Sequence, residues 1–151
     1  YLLRELDSNL NKNALRFNTS DKKSIDKAIY FLKNNYDKEF SLDEIAAKAN
    51  YSPYHFIRVF KAETGKTPFQ YLLEIKIAKA KELLDNSSKP ITEICYDCGF
   101  NNRSHFSVIF KRKTGNTPSS YRKLLHKNWN RDIDNKKSIY KYKKFRGSPE
   151  F

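Results

Sequence analysis

The chain has 151 residues, of which 38% are hydrophobic and 15% aromatic. That composition excludes wholesale disorder, and one ordinary domain or two very small ones would bury roughly 70% of the unfolded surface. No apolar run nears the ~20 residues of a membrane span, and no signal-peptide pattern opens the chain. With 30 Lys and Arg against 17 Asp and Glu, the net charge is +13. A polyanionic partner follows, with nucleic acid ahead of an anionic membrane surface. Methionine is absent, so the sequence reads as a piece of a longer protein.

Leu3, Leu6 and Leu10 stand at helical spacing, and residues 1–19 read as the end of an interdomain linker. Seven helices follow, near 24–35, 42–49, 53–64, 68–84, 91–98, 103–114 and 118–127. Ser41 with Glu44 makes a capping box, and Ser52-Pro53, Thr67-Pro68 and Thr117-Pro118 read as caps followed by a proline at the first helical position. Gly65, Gly99 and Gly115 each close a helix. No segment alternates apolar and polar residues as a strand would, so the fold class is all-α. Residues 128–146 hold seven Lys and Arg against two Asp and read as a solvated basic tail. The last five, 147–151, read as cloning-derived residues.

The sequence repeats itself. His55-Phe56-Ile57-Arg58-Val59-Phe60-Lys61 aligns with His105-Phe106-Ser107-Val108-Ile109-Phe110-Lys111 at an offset of about 50 residues, and Thr64-Gly65-Lys66-Thr67-Pro68 aligns with Thr114-Gly115-Asn116-Thr117-Pro118. Upstream, Glu44-Ile45-Ala46 matches Glu93-Ile94-Cys95, and Asn50-Tyr51 matches Gly99-Phe100. Each copy is a short helix, a tight turn at Asn50 or Gly99, an aromatic at the crossing, and a longer helix. This is the helix-turn-helix pattern, whose second helix enters the DNA major groove. The expected organisation is therefore two helix-turn-helix subdomains, 20–74 and 75–127, joined by a long linking helix.

At 100° per residue the second helices divide cleanly. Phe56, Val59 and Phe60 share a core face, with Tyr54, Arg58 and Lys61 opposite and Ile57 on the flank. In the other copy Phe106, Ile109 and Phe110 are core, Ser104, Val108 and Lys111 lie opposite, and Arg103 and Ser107 flank them. The buried faces match while the outer faces differ. That is the pattern expected of one scaffold reading two unlike half-sites.

Cys98-Gly99-Phe100-Asn101-Asn102-Arg103-Ser104-His105-Phe106-Ser107-Val108-Ile109-Phe110-Lys111, followed by Thr114-Gly115-Asn116-Thr117-Pro118 and Tyr121-Arg122, closely resembles the signature of the AraC/XylS family of bacterial transcription regulators. The resemblance covers roughly residues 24–125. It implies a double-stranded DNA operator as partner, RNA polymerase as a second, an effector-binding or dimerisation domain elsewhere in the protein, and a cytoplasmic location. It also implies base contacts from Tyr54, Ile57 and Arg58 in the first copy and Asn102, Arg103 and Ser107 in the second. Phosphate contacts fall to Ser52, His55, Lys61, His105, Lys111 and Arg112. Arg58 or Arg103 suits guanine O6 and N7, and Ile57 with the Tyr54 ring suits a thymine methyl. Four positions depart from the family pattern: Lys76 replaces a frequent Arg, Val108 a polar or basic residue, Ser120 an acidic one, and Pro90 stands where the first copy has its capping Ser41.

Other chemistries are weaker. Cys95-Tyr96-Asp97-Cys98 has the spacing of a redox or half-zinc motif, which would make the chain a thiol-based sensor. The repeat, however, puts Ala46 and Ala49 at the equivalent sites, where Cys serves as a small hydrophobe. A sequence-independent nucleic-acid-binding module is a further alternative. No phosphate loop, nucleophile elbow or catalytic carboxylate pair marks an enzyme, and no metal or cofactor is called for.

Overall fold

The computed structural model of the protein describes residues 19–144, and all of its elements there are helices: α1 (Thr19–Asn34), α2 (Leu42–Lys48), α3 (Pro53–Thr64), α4 (Pro68–Asn86), α5 (Ile91–Asp97), α6 (Arg103–Thr114) and α7 (Pro118–Lys144). The leucines of the expected linker and residues 147–151 lie outside the described residues. The chain divides into two compact units between Ala78 and Lys79, within α4.

In the first unit, α1 packs against α2 and α3. Ile25, Ala28 and Leu32 recur at helical spacing along α1 and meet Ile45, Ala46 and Ala49, then Phe56, Val59, Phe60 and Leu72. Phe60 takes Tyr71 edge-on, with ring centroids 5.5 Å apart. In the second unit the buried residues are Ala80, Leu84, Ile94, Cys95, Cys98, Phe100, Phe106, Ile109, Phe110 and Pro118. There Phe110 meets Tyr121 in the same manner at 5.4 Å. The repeat seen in the sequence is thus a repeat of packing.

The helix ends show why these boundaries arise. Ser41 and Glu44 form the reciprocal capping box of α2. At α4, the Thr67 hydroxyl accepts from the Gln70 amide while Gln70 Oε1 accepts from the Thr67 N–H, a second reciprocal cap. Pro90 gives α5 no side-chain cap. Ser52 corrects an expectation: its backbone is extended as a cap requires, yet its hydroxyl makes no capping bond. Both α3 and α6 end on glycines of positive φ, Gly65 at 74° and Gly115 at 82°.

The larger correction is at the C-terminus. The helix expected to end near Lys127, α7, continues to Lys144, so residues 128–144 of the basic tail are helical, while 145 and 146 lie outside the described residues. At 1.5 Å per residue its 27 residues extend about 40 Å. Neither Gly nor Pro occurs between Pro118 and Gly147, so no residue there breaks a helix. High polarity concealed that continuity. At the other end, α1 begins at Thr19, a turn before Ser24, with Asp21 placed favourably in its first turn.

Candidate nucleic-acid interface

Two turns orient the candidate reading helices. In the first unit, the Tyr51 amide donates to Ala46 O and the Asn50 amide to Ala47 O, both at 3.1 Å. In the second, the Phe100 amide donates to Cys95 O at 3.0 Å and the Gly99 amide to Tyr96 O at 2.8 Å. These paired bonds satisfy the last carbonyls of α2 and α5 and require a left-handed residue between them. Asn50 takes φ 58° and Gly99 takes φ 72°. The turn therefore dictates the residue type, and the sequence supplies the two types that tolerate it.

The aromatic after each turn secures the helix that follows. Tyr51 meets the His55 ring edge-on at 4.9 Å, and Phe100 stands at 6.3 Å from the His105 ring and 5.0 Å from Phe106. Tyr51 also donates its hydroxyl to the Asp21 carboxylate of α1. Burial, together with that bond, pushes the Tyr51 hydroxyl above its ordinary range.

With their core faces fixed, α3 and α6 present the remaining side chains outward. Tyr54 is 75% exposed, and Ser52, His55, Arg58 and Lys61 are exposed beside it, with Ile57 half-buried at the edge. On α6, Asn102, Arg103, His105, Lys111 and Arg112 are exposed and Ser107 is half-buried. Ser104 is exposed between them, and Val108 is 65% exposed. All twelve candidate residues therefore fall on or beside the outer face of a helix-turn-helix second helix, six in each unit. The arrangement offers cations, hydroxyls and short apolar groups on a convex helix, which suits a groove rather than a small molecule.

One of these residues already has a structural task. Asn102 caps α6, its Oδ1 accepting from the His105 amide at 3.0 Å. Its placement directly before Arg103 was a signal for that role. Val108, set aside on sequence, emerges as a large exposed aliphatic on the reading face. Trp129, 67% exposed on the unexpected part of α7, is a further surface group the sequence reading did not single out.

The cysteines offer no activated thiol. Both are free and buried, and Cys95 donates its thiol to Phe100 O at 3.6 Å. Burial pushes the Cys95 thiol up, with the nearby Arg103 charge only partly opposing it. A reactive thiolate needs the opposite environment. Among the described residues no group of three or more His, Cys, Asp or Glu is arranged to hold a metal ion, and no helix is long and apolar enough to cross a membrane.

Comparison with known proteins agrees with this geometry. The transcriptional activator RhaR of Salmonella schwarzengrund is 40% identical over 106 residues, which is 70% of this chain. The chain spans only 38% of that relative's length. Among solved structures, the DNA-binding domain of AdpA, in complex with a target DNA, superposes with a TM-score of 0.66 at 26% identity, covering 69% of this chain and 94% of its own. A transcriptional regulator with an AraC-type DNA-binding domain from Chromobacterium violaceum gives 0.65 at 30% identity, covering 72% and 96%. Residues 45–124 match the family described as helix-turn-helix domain. With two turn-bracketed helices, matching cores and these relatives together, the chain belongs to the AraC/XylS family of helix-turn-helix DNA-binding domains.

Proposed function

We propose that this chain binds duplex DNA in a sequence-specific manner through α3 and α6, each reading a major-groove segment, and thereby regulates transcription, with activation as the mode. The observation that carries the reading is the pairing of matched buried faces with unlike exposed ones on two copies of one motif. A module built only for nonspecific attraction would need basic surfaces, not two different sets of side chains. Tyr54, Ile57 and Arg58 serve as base readers in the first unit, and Arg103, Ser107 and Asn102 in the second. Ser52, whose hydroxyl is not used as a cap, joins His55, Lys61, His105, Lys111 and Arg112 on the phosphates.

The work of the chain is binding, not catalysis. Its further partners are RNA polymerase and an effector-binding or dimerisation domain in the remainder of the protein, and its location is the bacterial cytoplasm. Since the curated relatives are much longer than this chain, the signal that controls binding lies with that remainder.

Selection of bound duplexes from a random pool tests the proposal. One asymmetric sequence should emerge, its two readable segments about one helical turn (~34 Å) apart. Arg58→Ala and Arg103→Ala should each relax preference in a different segment, by about 1–3 kcal/mol of discrimination. If six phosphates are neutralised, log K should fall against log salt with a slope of roughly −5. Equal affinity for every duplex would refute the proposal.

A further inference from the structure

We infer that Val108 is the second unit's specificity residue and that it reads the 5-methyl group of a thymine, at the helix position where the first unit uses Arg58 to read guanine. The inference rests on the proposed DNA-binding function and assigns a base to one position of the second half-site.

The repeat fixes the equivalence. Arg58 and Val108 are each the sixth residue of a twelve-residue helix, and in both units the residues on either side of that position follow the same buried pattern, Phe56, Val59, Phe60 against Phe106, Ile109, Phe110. Val59 and Ile109 are buried and Ile57 is half-buried at the edge, so the other aliphatic side chains on these helices are wholly or partly covered. Val108 instead stands 65% exposed. It adds nothing to the core, and as a β-branched residue it slightly disfavours the helix. A single exposed Val on an arbitrary surface would need no explanation. Here its position is the one from which the other copy extends a guanidinium.

The neighbours on that face narrow the chemistry. Ser104 and His105 lie a turn before Val108, and Lys111 and Arg112 a turn after it, all exposed. The cations can hold phosphates and fix the register, leaving a short apolar contact between them. An isopropyl group has no donor or acceptor, so it cannot pair with the O6, N7, N6, N4 or O4 groups of the major groove. Pressed against those atoms it would strip their water and return nothing. The thymine methyl is the apolar group that an unmodified base pair presents there. Val108 therefore selects thymine by contact with the methyl and disfavours other bases by desolvation.

Deoxyuridine substitution isolates that methyl. In the duplex preferred by the full chain, each thymine is replaced in turn by uracil, and affinity is measured by gel shift for the wild type, Val108→Ala and Arg58→Ala. One thymine in the second unit's segment, the segment whose preference Arg103→Ala relaxes, should prove methyl-dependent, with wild-type binding weakened about three- to fivefold, the scale of one methyl-sized apolar contact. Any thymine met by Ile57 lies in the other segment. Val108→Ala should be indifferent to the same replacement, and Arg58→Ala should retain the full response. At that position 5-methylcytosine opposite guanine should bind better than cytosine opposite guanine. Because Val108 is exposed, the variants keep the fold, which circular dichroism checks. A preferred duplex in which no thymine of the second unit's segment responds, or in which Val108→Ala responds there as fully as the wild type, would overturn this inference alone. A pool with no preferred duplex would overturn it together with the DNA-reading proposal.

Discussion

The two units hold their cores alike and their rims differently. Phe60 and Phe110 are fully buried against Tyr71 and Tyr121, and Thr64 and Thr114 each place a hydroxyl near the carbonyl four residues back, at 2.7 and 2.8 Å. Around that shared frame the details diverge. Lys66 pairs with Glu74 at 2.6 Å in the first unit, where the second has Asn116 and an exposed Leu124. Leu72 is buried in the first unit, whereas its counterpart Arg122 donates Nε to Leu84 O at 3.4 Å and keeps Nη2 buried without a partner among the described residues. The lesson is that a duplicated scaffold tolerates change wherever the core does not set side-chain volume. Those tolerant positions are where recognition can diversify.

The equivalence of the cores is the strongest part of the comparison and carries the largest expected effect. Phe60→Ala and Phe110→Ala each delete a fully buried ring and its aromatic partner contact. Each should cost about 3–5 kcal/mol in urea unfolding, with amide exchange assigning the loss to its own unit. A loss from Phe110→Ala less than half that from Phe60→Ala would break the equivalence.

The turns offer a finer test, since one copy uses Asn and the other Gly at positive φ. Alanine carries a Cβ without the short amide that eases the left-handed conformation. Asn50→Ala and Gly99→Ala should therefore each cost about 1–2 kcal/mol. Asn50→Gly should change stability by only a few tenths, because it installs the other copy's solution. If Asn50→Ala proved as harmless as Asn50→Gly in thermal unfolding, backbone strain would not be what selects these residues.

How much of this was visible in the residues depends on the range of the forces involved. The bounds of α3 and α6 were legible because Gly at the end of both and Pro at the start of α3 act within one turn, and the repeat carries that start over to α6. The reading faces were legible because helical spacing assigns each side chain a direction. The run of α7 beyond Lys127 was missed because polarity was weighed above the absence of a breaker. Ser52 was misread as a cap because its residue type permits a bond that the local geometry does not make. The Tyr51–Asp21 bond joins residues thirty positions apart, and no local spacing rule reaches that far. Val108 was readable as outward-facing from the start. Its meaning depends on its equivalence to Arg58 and on the exposure of both side chains.

The Tyr51–Asp21 bond also yields the smallest and most discriminating prediction, because its counterpart in the second unit is Phe100, which cannot form it. Tyr51→Phe gives the first unit the second unit's residue. Losing one part-buried hydrogen bond should cost about 0.5–1 kcal/mol near neutral pH. The pH dependence separates this from a packing change. Burial and the Asp21 bond raise the Tyr51 hydroxyl above its ordinary value of 10.0, so the folded state favours the protonated phenol. That contribution is complete below about pH 10 and is lost as pH rises through the raised folded value. Cys95 acts in the same direction in the second unit, starting from its ordinary 9.0. Urea unfolding between pH 7 and 11 should therefore show a shallower alkaline decline for Tyr51→Phe than for the wild type, with the Cys95 component left in both. Parallel declines would mean that the hydroxyl ionises no less readily in the folded chain than in the unfolded one, and that Tyr51 and Phe100 do the same work as rings alone.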